Sequence, residues 1–363
     1  MAELLKNQFF QPAFHQALAK AINRVHPNFS EDEFMSKVYN DRWDGMELKE
    51  RMKHTALTLR QLLPEDYLKA LDVLKKVCHH FQGFDGMVFP DFVEQFGLDY
   101  PEVSLDALEL FTQYSSSEFA IRPFIVRYED LAMGRMFRWS TDENYHIRRL
   151  SSEGCRPRLP WAMALPKFKK DPSLILPILE NMKADPEEYV RKSVANNLND
   201  ITKDNKEIVL ETLEHWNADK AKSTQWIIKH ALRGLLKAGD KRALAILGFK
   251  KANVEIEHLM LDRDSISMGE ELNFSFKLTN QGKSKKKLMV DYVIHFVKSN
   301  GSTAPKVFKL TNIDLSAEDT VELAKKHEIK PITTRKYYAG VHRLEIQVNG
   351  QMYGGVNFEL VLS

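Results

Sequence analysis

Cysteine is scarce: Cys78 and Cys155 are the only two in 363 residues. Two thiols build neither a disulfide framework nor a zinc site by themselves, and such sparing use points to a reducing compartment. No run of about 18 apolar residues occurs, so no membrane span is expected. The opening MAELLKNQFF carries Glu3 and Lys6 and lacks the apolar stretch of a secretory signal. Together these absences predict a cytoplasmic protein. An excess of charge of one sign is missing too: 52 Lys and Arg face 50 Asp and Glu, a formal +2. Any basic binding surface must therefore be local. With 43% hydrophobic and 28% charged residues the chain reads as globular, and its length suits two or more domains.

The pattern changes near residue 250. Before it, apolar residues recur at helical spacing, as in LKERMKHTALTLRQLL (48–63), DYLKALDVLKKVCHHF (66–81) and SLDALELFTQYSS (104–116). After it the period becomes two: Leu272, Phe274, Phe276 and Leu278 alternate with polar residues, as do Leu344, Ile346 and Val348. VDYVIHFV (290–297) is rich in β-branched and aromatic residues, and Gly282, SNGS (299–302) and Asn349-Gly350 supply turns. These strands predict an antiparallel β-sandwich of immunoglobulin type, with Tyr338 placed for a corner hydrogen bond. The expected division is residues 1–250 and 251–363.

The helical part repeats. TDENYHIRRLSSEG (141–154), ADPEEYVRKSVANNLND (184–200) and KSTQWIIKHALRGLLK (222–237) share a plan of polar residues, an aromatic, then an aliphatic-basic cluster. Aligning Arg148, Arg191 and Ile228 gives a period of about 40 residues, that of a HEAT repeat. Asp171-Pro172 and Asp185-Pro186 each offer a capping acid before a first-turn proline. Stacked pairs of this kind form a solenoid whose second helices line a concave face. Those helices carry Arg148, Arg149, Arg191, Lys192, Lys229 and Arg233, a row suited to a polyanion such as a duplex backbone. Taken alone, the charges fit solvated faces with internal ion pairs better.

RRLSSEGCRPRLPW (148–161) gathers Arg148, Arg149, Arg156 and Arg158 around Glu153 and closes on Trp161. Gly154 is expected to end a helix, Pro157 and Pro160 to stiffen the bend, and Trp161 to stand at a new helix start. Arg149 and Glu153, four apart, share a helix face. Nearby cations would keep Glu153 ionised. Most tryptophans in helical proteins pack in cores, whereas an exposed one here would be a stacking wall for a flat, electron-poor ring. In SVANNLND, Asn196, Asn197 and Asp200 are poor helix-interior residues. They either fray the helix or point amides and a carboxylate into a groove. Glu118, in YSSSEFAIRPF, is a third acid whose ordinary role is helix capping. QGKSKKKL (281–288) sets lysines, among them Lys285, Lys286 and Lys287, around an expected hairpin tip, either as a solubilising turn or as phosphate contacts. Arg335 and Lys336 form another basic patch.

RRLSSEGCRPRLPWA, DPEEYVRKSVANNLNDI and AGVHRLEIQVNG resemble the AlkC branch of bacterial DNA alkylation-repair glycosylases, in the variant with an added immunoglobulin-like domain. The resemblance spans nearly the whole chain. It implies a mainly α protein with a β domain: a HEAT-like α-helical solenoid followed by an immunoglobulin-like β-sandwich. It implies excision of cationic methylated bases, chiefly N3-methyladenine and also N3-methylcytosine, from double-stranded DNA without full base flipping. Glu118, Glu153, Trp161 and Asp200 match positions that line the family's active site. Asp200 and Glu153 are expected to position water with help from Glu118, while Trp161 faces the sugar or the cationic base. Expected DNA contacts are Arg148, Arg149, Arg156, Arg158, Arg191, Lys192, Asn197, Lys229, Arg233, Lys285, Lys286 and Lys287. No metal motif is present and no cofactor is expected; a monomeric, monofunctional hydrolase is the simplest case. The competing readings are a non-catalytic HEAT scaffold and a DNA-binding protein that senses damage without cutting.

Overall fold

Helix follows helix from Pro12 to Ile246, and strands take over from Val254 to Val361. The computed structural model describes residues 5–332 and 335–362. The chain divides into two compact units, Met1–Glu211 with Ala218–Ala231, and Thr212–Asn217 with Leu232–Ser363. A boundary at 250 follows the switch from helix to strand. Compactness divides the chain earlier, because the helices Arg233–Lys237 and Lys241–Ile246 gather with the strands. Among the described residues no helix is long and apolar enough to cross a membrane.

In the first unit the three expected helices form as Leu48–Leu62, Tyr67–Val77 and Pro101–Thr112. Glu47 and Glu50 make a reciprocal capping box for the first, and the Asp66 carboxylate accepts from the Lys69 N–H at 2.9 Å to open the second. The third stops at Thr112 rather than running to 116. That leaves residues 113–116 free to turn into a cleft described below.

Helices Tyr145–Gly154, Glu188–Ile201 and Lys222–Ala231 pack each on the next, as the repeat predicts. The repeat also explains two arginines. Arg148 Nη1 donates to the carbonyls of Asp142 and Glu143, and Arg191 Nη1 donates to those of Asp185 and Pro186. Each therefore reaches back over its own helix start and holds the turn that leads into it. The Asp-Pro pairs cap turns rather than helices. Asp171 accepts from Ser173 N and Asp185 from Glu187 N, and the helices begin farther on, at Leu176 and Glu188.

Gly154 is the last residue of its helix, at a point where a larger residue has no room. A Cβ there would lie 2.6 Å from Ile121 Cγ2 and 2.7 Å from Met136 Cε. Glycine at this position admits the close approach of the neighbouring helices Ile121–Arg127 and Glu129–Trp139.

The second unit holds a three-stranded sheet, β1(Val254–Leu261)-β3(Glu271–Asn280)-β6(Thr320–Glu328). It also holds a five-stranded sheet, β2(Ser265–Ser267)-β8(Gln351–Val361)-β7(Gly340–Val348)-β4(Lys286–Val297)-β5(Thr303–Leu315). All pairings are antiparallel except β2 with β8. The alternating residues Leu272, Phe274, Phe276 and Leu278 from one sheet share a buried core with Leu344, Ile346 and Val348 from the other. This is the expected sandwich. Asn349 and Gly350 take φ of 45° and 79°, the backbone of a tight two-residue hairpin between β7 and β8.

Two expectations are corrected. Residues 281–285 are no hairpin tip, because β3 and β4 belong to different sheets and the segment crosses between them. Alternation identifies a strand but not its partner. Tyr338 enters the fold through its carbonyl, which faces His342 Nε2 at 3.2 Å, and Tyr337 is the ring buried in the core.

Gly→Ala inside a helix usually stabilises a protein. Gly154→Ala is expected to do the opposite and cost about 1–3 kcal/mol by overpacking. Urea denaturation checks it; an unchanged or raised midpoint would show that Ile121 and Met136 give way.

Candidate active site

A cleft of about 710 Å³ opens in the first unit. Glu118, Arg149, Glu153, Arg156 and Trp161 line it, with the rings of Tyr145, His146 and Tyr189. The bend at 148–161 and the turn at 113–119 thus meet in one place, as the sequence suggested for Glu118, Glu153 and Trp161.

Glu153 is 5% exposed, and a carboxylate so buried persists as an anion only if it is paired. Arg156 Nη1 donates to its Oε1 at 2.6 Å, and Arg149 Nη2 lies 3.5 Å from the same oxygen. Burial alone would raise the pKa of Glu153; Arg149 and Arg156 outweigh it and hold the group below the ordinary value. Arg149 also pairs with Glu118 and donates to Ser116 Oγ at 2.8 Å, and that hydroxyl donates to Glu118 Oε2 at 2.9 Å. One guanidinium therefore fixes both cleft carboxylates. Its other contact is the Tyr189 ring, 4.8 Å from the guanidinium carbon. His146 has a lowered pKa, through burial and the neighbouring Arg149, so it is neutral near pH 7.

Trp161 is 55% exposed and holds a φ of 63°, which a bulky L-residue rarely adopts. It lies in a turn, and the next helix begins only at Pro166, so the expected helix start at Trp161 is corrected. Lys49 Nζ donates to the Trp161 carbonyl at 2.8 Å and sits 4.4 Å from the Phe119 ring centroid. An exposed large ring on a strained backbone is held by its surroundings, and such positions concentrate at functional sites.

Several expected contacts lie elsewhere. Asp200 is 3% exposed and does not line the cleft; its Oδ2 accepts from Arg156 Nε at 2.9 Å, so it stands one residue behind Glu153. Arg156 is buried between these two acids, with Nε committed to Asp200 and Nη1 to Glu153. Arg148 is committed to Asp185 through two hydrogen bonds of 2.7 and 3.1 Å. Arg191 holds the carbonyls named above. Asn197 is wholly buried and donates to the Ser152 carbonyl at 2.7 Å, which removes it from any DNA surface. Arg158 makes a two-point pair with Asp204. Much of the arginine row is therefore internal pairing, the reading that charge alone favoured.

Lys192 and Lys229 are exposed on successive repeat helices, Lys192 beside Glu188. In the second unit Arg233 is half-exposed, Lys285 pairs loosely with Asp314, and Lys286 opens β4. Lys287 donates to the Leu247 carbonyl at 3.0 Å, and Arg335 packs 4.0 Å from the Phe296 ring. Among the described residues no group of three His, Cys, Asp or Glu is arranged to hold a metal ion.

Comparison with known proteins places this geometry. Residues 114–235 match the family model described as DNA alkylation repair enzyme, and residues 255–362 match the C-terminal Ig-like domain of the uncharacterised protein YhaZ. The YhaZ protein of Bacillus subtilis (strain 168) is 40% identical over 361 residues, 99% of this chain and 100% of that protein. A solved structure of Pseudomonas fluorescens alkylpurine DNA glycosylase AlkC, bound to DNA containing an abasic site analog, superposes with a TM-score of 0.93. It is 40% identical, with 97% of this chain and 98% of that one covered. The chain belongs to the AlkC family of DNA alkylation-repair enzymes. The Lys49 tie and the cleft residues Gln82, Phe84 and Met87 lie before the stretch that matches the repair-enzyme model. Sequence reading missed them, and missed Tyr189 as a cleft ring, because only the tertiary fold brings them to the bend. Tyr145, also missed, stands four and eight positions before Arg149 and Glu153 on one helix face, a signal that could have found it.

The pairing of Glu153 carries a pH signature. Its folded pKa lies below the unfolded one, so the pairing contributes fully above the ordinary value of 4.5 and is lost as pH falls through the folded value. Glu153→Gln is expected to flatten the fall in urea midpoint below that pH. An unchanged slope would mean that Glu153 titrates alike in both states.

Proposed function

We propose that this protein is an alkylpurine DNA glycosylase. It hydrolyses the N-glycosidic bond of cationic bases, chiefly N3-methyladenine and also N3-methylcytosine, in duplex DNA, and so starts base excision repair without full base flipping. The observation that carries the reading is an exposed, strained Trp161 in one cleft with two carboxylates, one of them buried and held ionised. Membership of the AlkC family and the 40% identity to a DNA-bound glycosylase support it over the scaffold and sensor alternatives.

A base alkylated at N3 already carries positive charge and leaves as a neutral molecule, so little acid catalysis is needed. The sugar left behind is oxocarbenium-like. Carboxylates near C1′ stabilise that charge and orient the attacking water. Glu153 and Glu118 are the two acids that line the cleft. Asp200 acts through Arg156: it fixes the guanidinium that in turn fixes Glu153. The Trp161 face attracts a cationic base or sugar and has no comparable pull on a neutral one. The amine at the cleft wall, Lys49, is committed to the Trp161 carbonyl at 2.8 Å, and we read the protein as a monofunctional hydrolase rather than a lyase with an amine nucleophile. Among the expected contacts of the first unit, Lys192 and Lys229 are the exposed ones, and an exposed lysine costs little to recruit to a phosphate.

Chromatography of bases liberated from methylated DNA tests the reading. The protein should release free methylated adenine. Glu153→Gln should slow release on the order of 100-fold or more, and Asp200→Asn should slow it less, with duplex binding retained in both. No released base, or a Glu153→Gln rate equal to the parent's, would sink the assignment.

A further inference from the structure

Arg122 is wholly buried, yet it pairs with no carboxylate among the described residues. It belongs to the helix Ile121–Arg127, one turn after Glu118. Its guanidinium points at backbone: Nε donates to the Met163 carbonyl at 2.7 Å, and Nη1 donates to the carbonyls of Gly154 at 2.8 Å and Arg156 at 2.9 Å. Nη2 is buried without a partner.

A buried guanidinium with no carboxylate in ion-pair reach, only the more distant charges of Asp200 and Glu118, is an expensive way to hold a loop, since desolvation opposes its charge. Burial lowers its pKa to about 10, which still leaves it protonated at neutral pH. The three carbonyls it collects are not arbitrary. Gly154 follows Glu153. Arg156 supplies the side chain that bridges Glu153 to Asp200. Met163 lies on the return limb just past Trp161. One rigid fork therefore ties the end of the acid-bearing helix to the far side of the loop that exposes the tryptophan. Lys49 holds that loop at a second point, from the Leu48–Leu62 helix.

We propose that Arg122 is a positioning residue that sets where the Trp161 ring stands relative to the Glu153 carboxylate. It is wholly buried and is not among the residues that line the cleft. Its effect on excision rests on the glycosylase reading; its effect on Trp161 does not. A lysine keeps the charge but offers one donor centre in place of a planar fork, so it cannot serve three carbonyls in this arrangement.

The test uses the full-length protein with Arg122→Lys and Arg122→Gln, each also combined with Trp161→Phe, so that subtraction isolates the emission of Trp161. Acrylamide quenching of Trp161 should differ from the parent in both variants. The single-turnover release of methylated base should fall on the order of 100-fold, while binding to undamaged duplex changes less than about twofold. Unchanged Trp161 quenching would overturn the proposal. So would a release rate and duplex binding that decline together with the folded fraction, or a failure of both variants to fold, since either assigns Arg122 to the fold alone. If the parent releases no base, the glycosylase reading fails and the quenching comparison still decides this one.

Discussion

Glu153 carries two guanidinium groups on one carboxylate oxygen and is almost fully buried in the wall of the cleft. A lone anion there would protonate instead. Arg149 and Arg156 prevent that, and each also reaches a second acid. Arg149 takes Glu118, and Arg156 takes Asp200. The result is a chain of three acids and two bases reaching from the cleft into the helix packing. Its acids come from three separate segments, the turn before Ile121 and the helices Tyr145–Gly154 and Glu188–Ile201.

That chain also shows what a sequence exposes and what it conceals. The 148–161 bend was legible because glycine, prolines, an acid and a tryptophan coincide within a few residues. The repeat was legible because a stacked architecture reuses one helix pattern. The fate of each arginine was not. Arg148, Arg156 and Arg158 look alike in a basic run, yet each is claimed by a different partner, Asp185, Glu153 with Asp200, and Asp204, lying 3 to 46 positions away. Burial is decided by packing at that range, and local composition carries no record of it. The same holds for the lysines at 285–287: period-two alternation found the strands on either side but could not tell that the intervening segment changes sheets.

Trp161 presents the opposite problem. Its identity was obvious and its environment was not. A tryptophan next to two prolines reads as core or helix start, whereas this one stands out of the protein on left-handed backbone. Strain of that kind is of order 1–3 kcal/mol and must be met by contacts elsewhere. Lys49 and Arg122 supply them, the first by the carbonyl of the residue itself, the second by the carbonyl two residues on. Both ties end on backbone, so the side chain of Trp161 is left with its face uncommitted.

An uncommitted aromatic face and a surplus carboxylate respond to the same property of a ligand, its positive charge. This limits how selective the cleft can be by binding alone. A desolvated cation–π contact gives about 2 kcal/mol, and tenfold discrimination takes about 1.4 kcal/mol. Such a contact therefore separates cationic from neutral bases by little more than one order of magnitude. On the proposed glycosylase reading, the larger share of selectivity must then come from the bond itself, since only an alkylated base leaves without being protonated. On that account the site has no need to read base edges, and its design falls on holding charge and ring at a fixed separation. The molecule spends its buried arginines on that geometry.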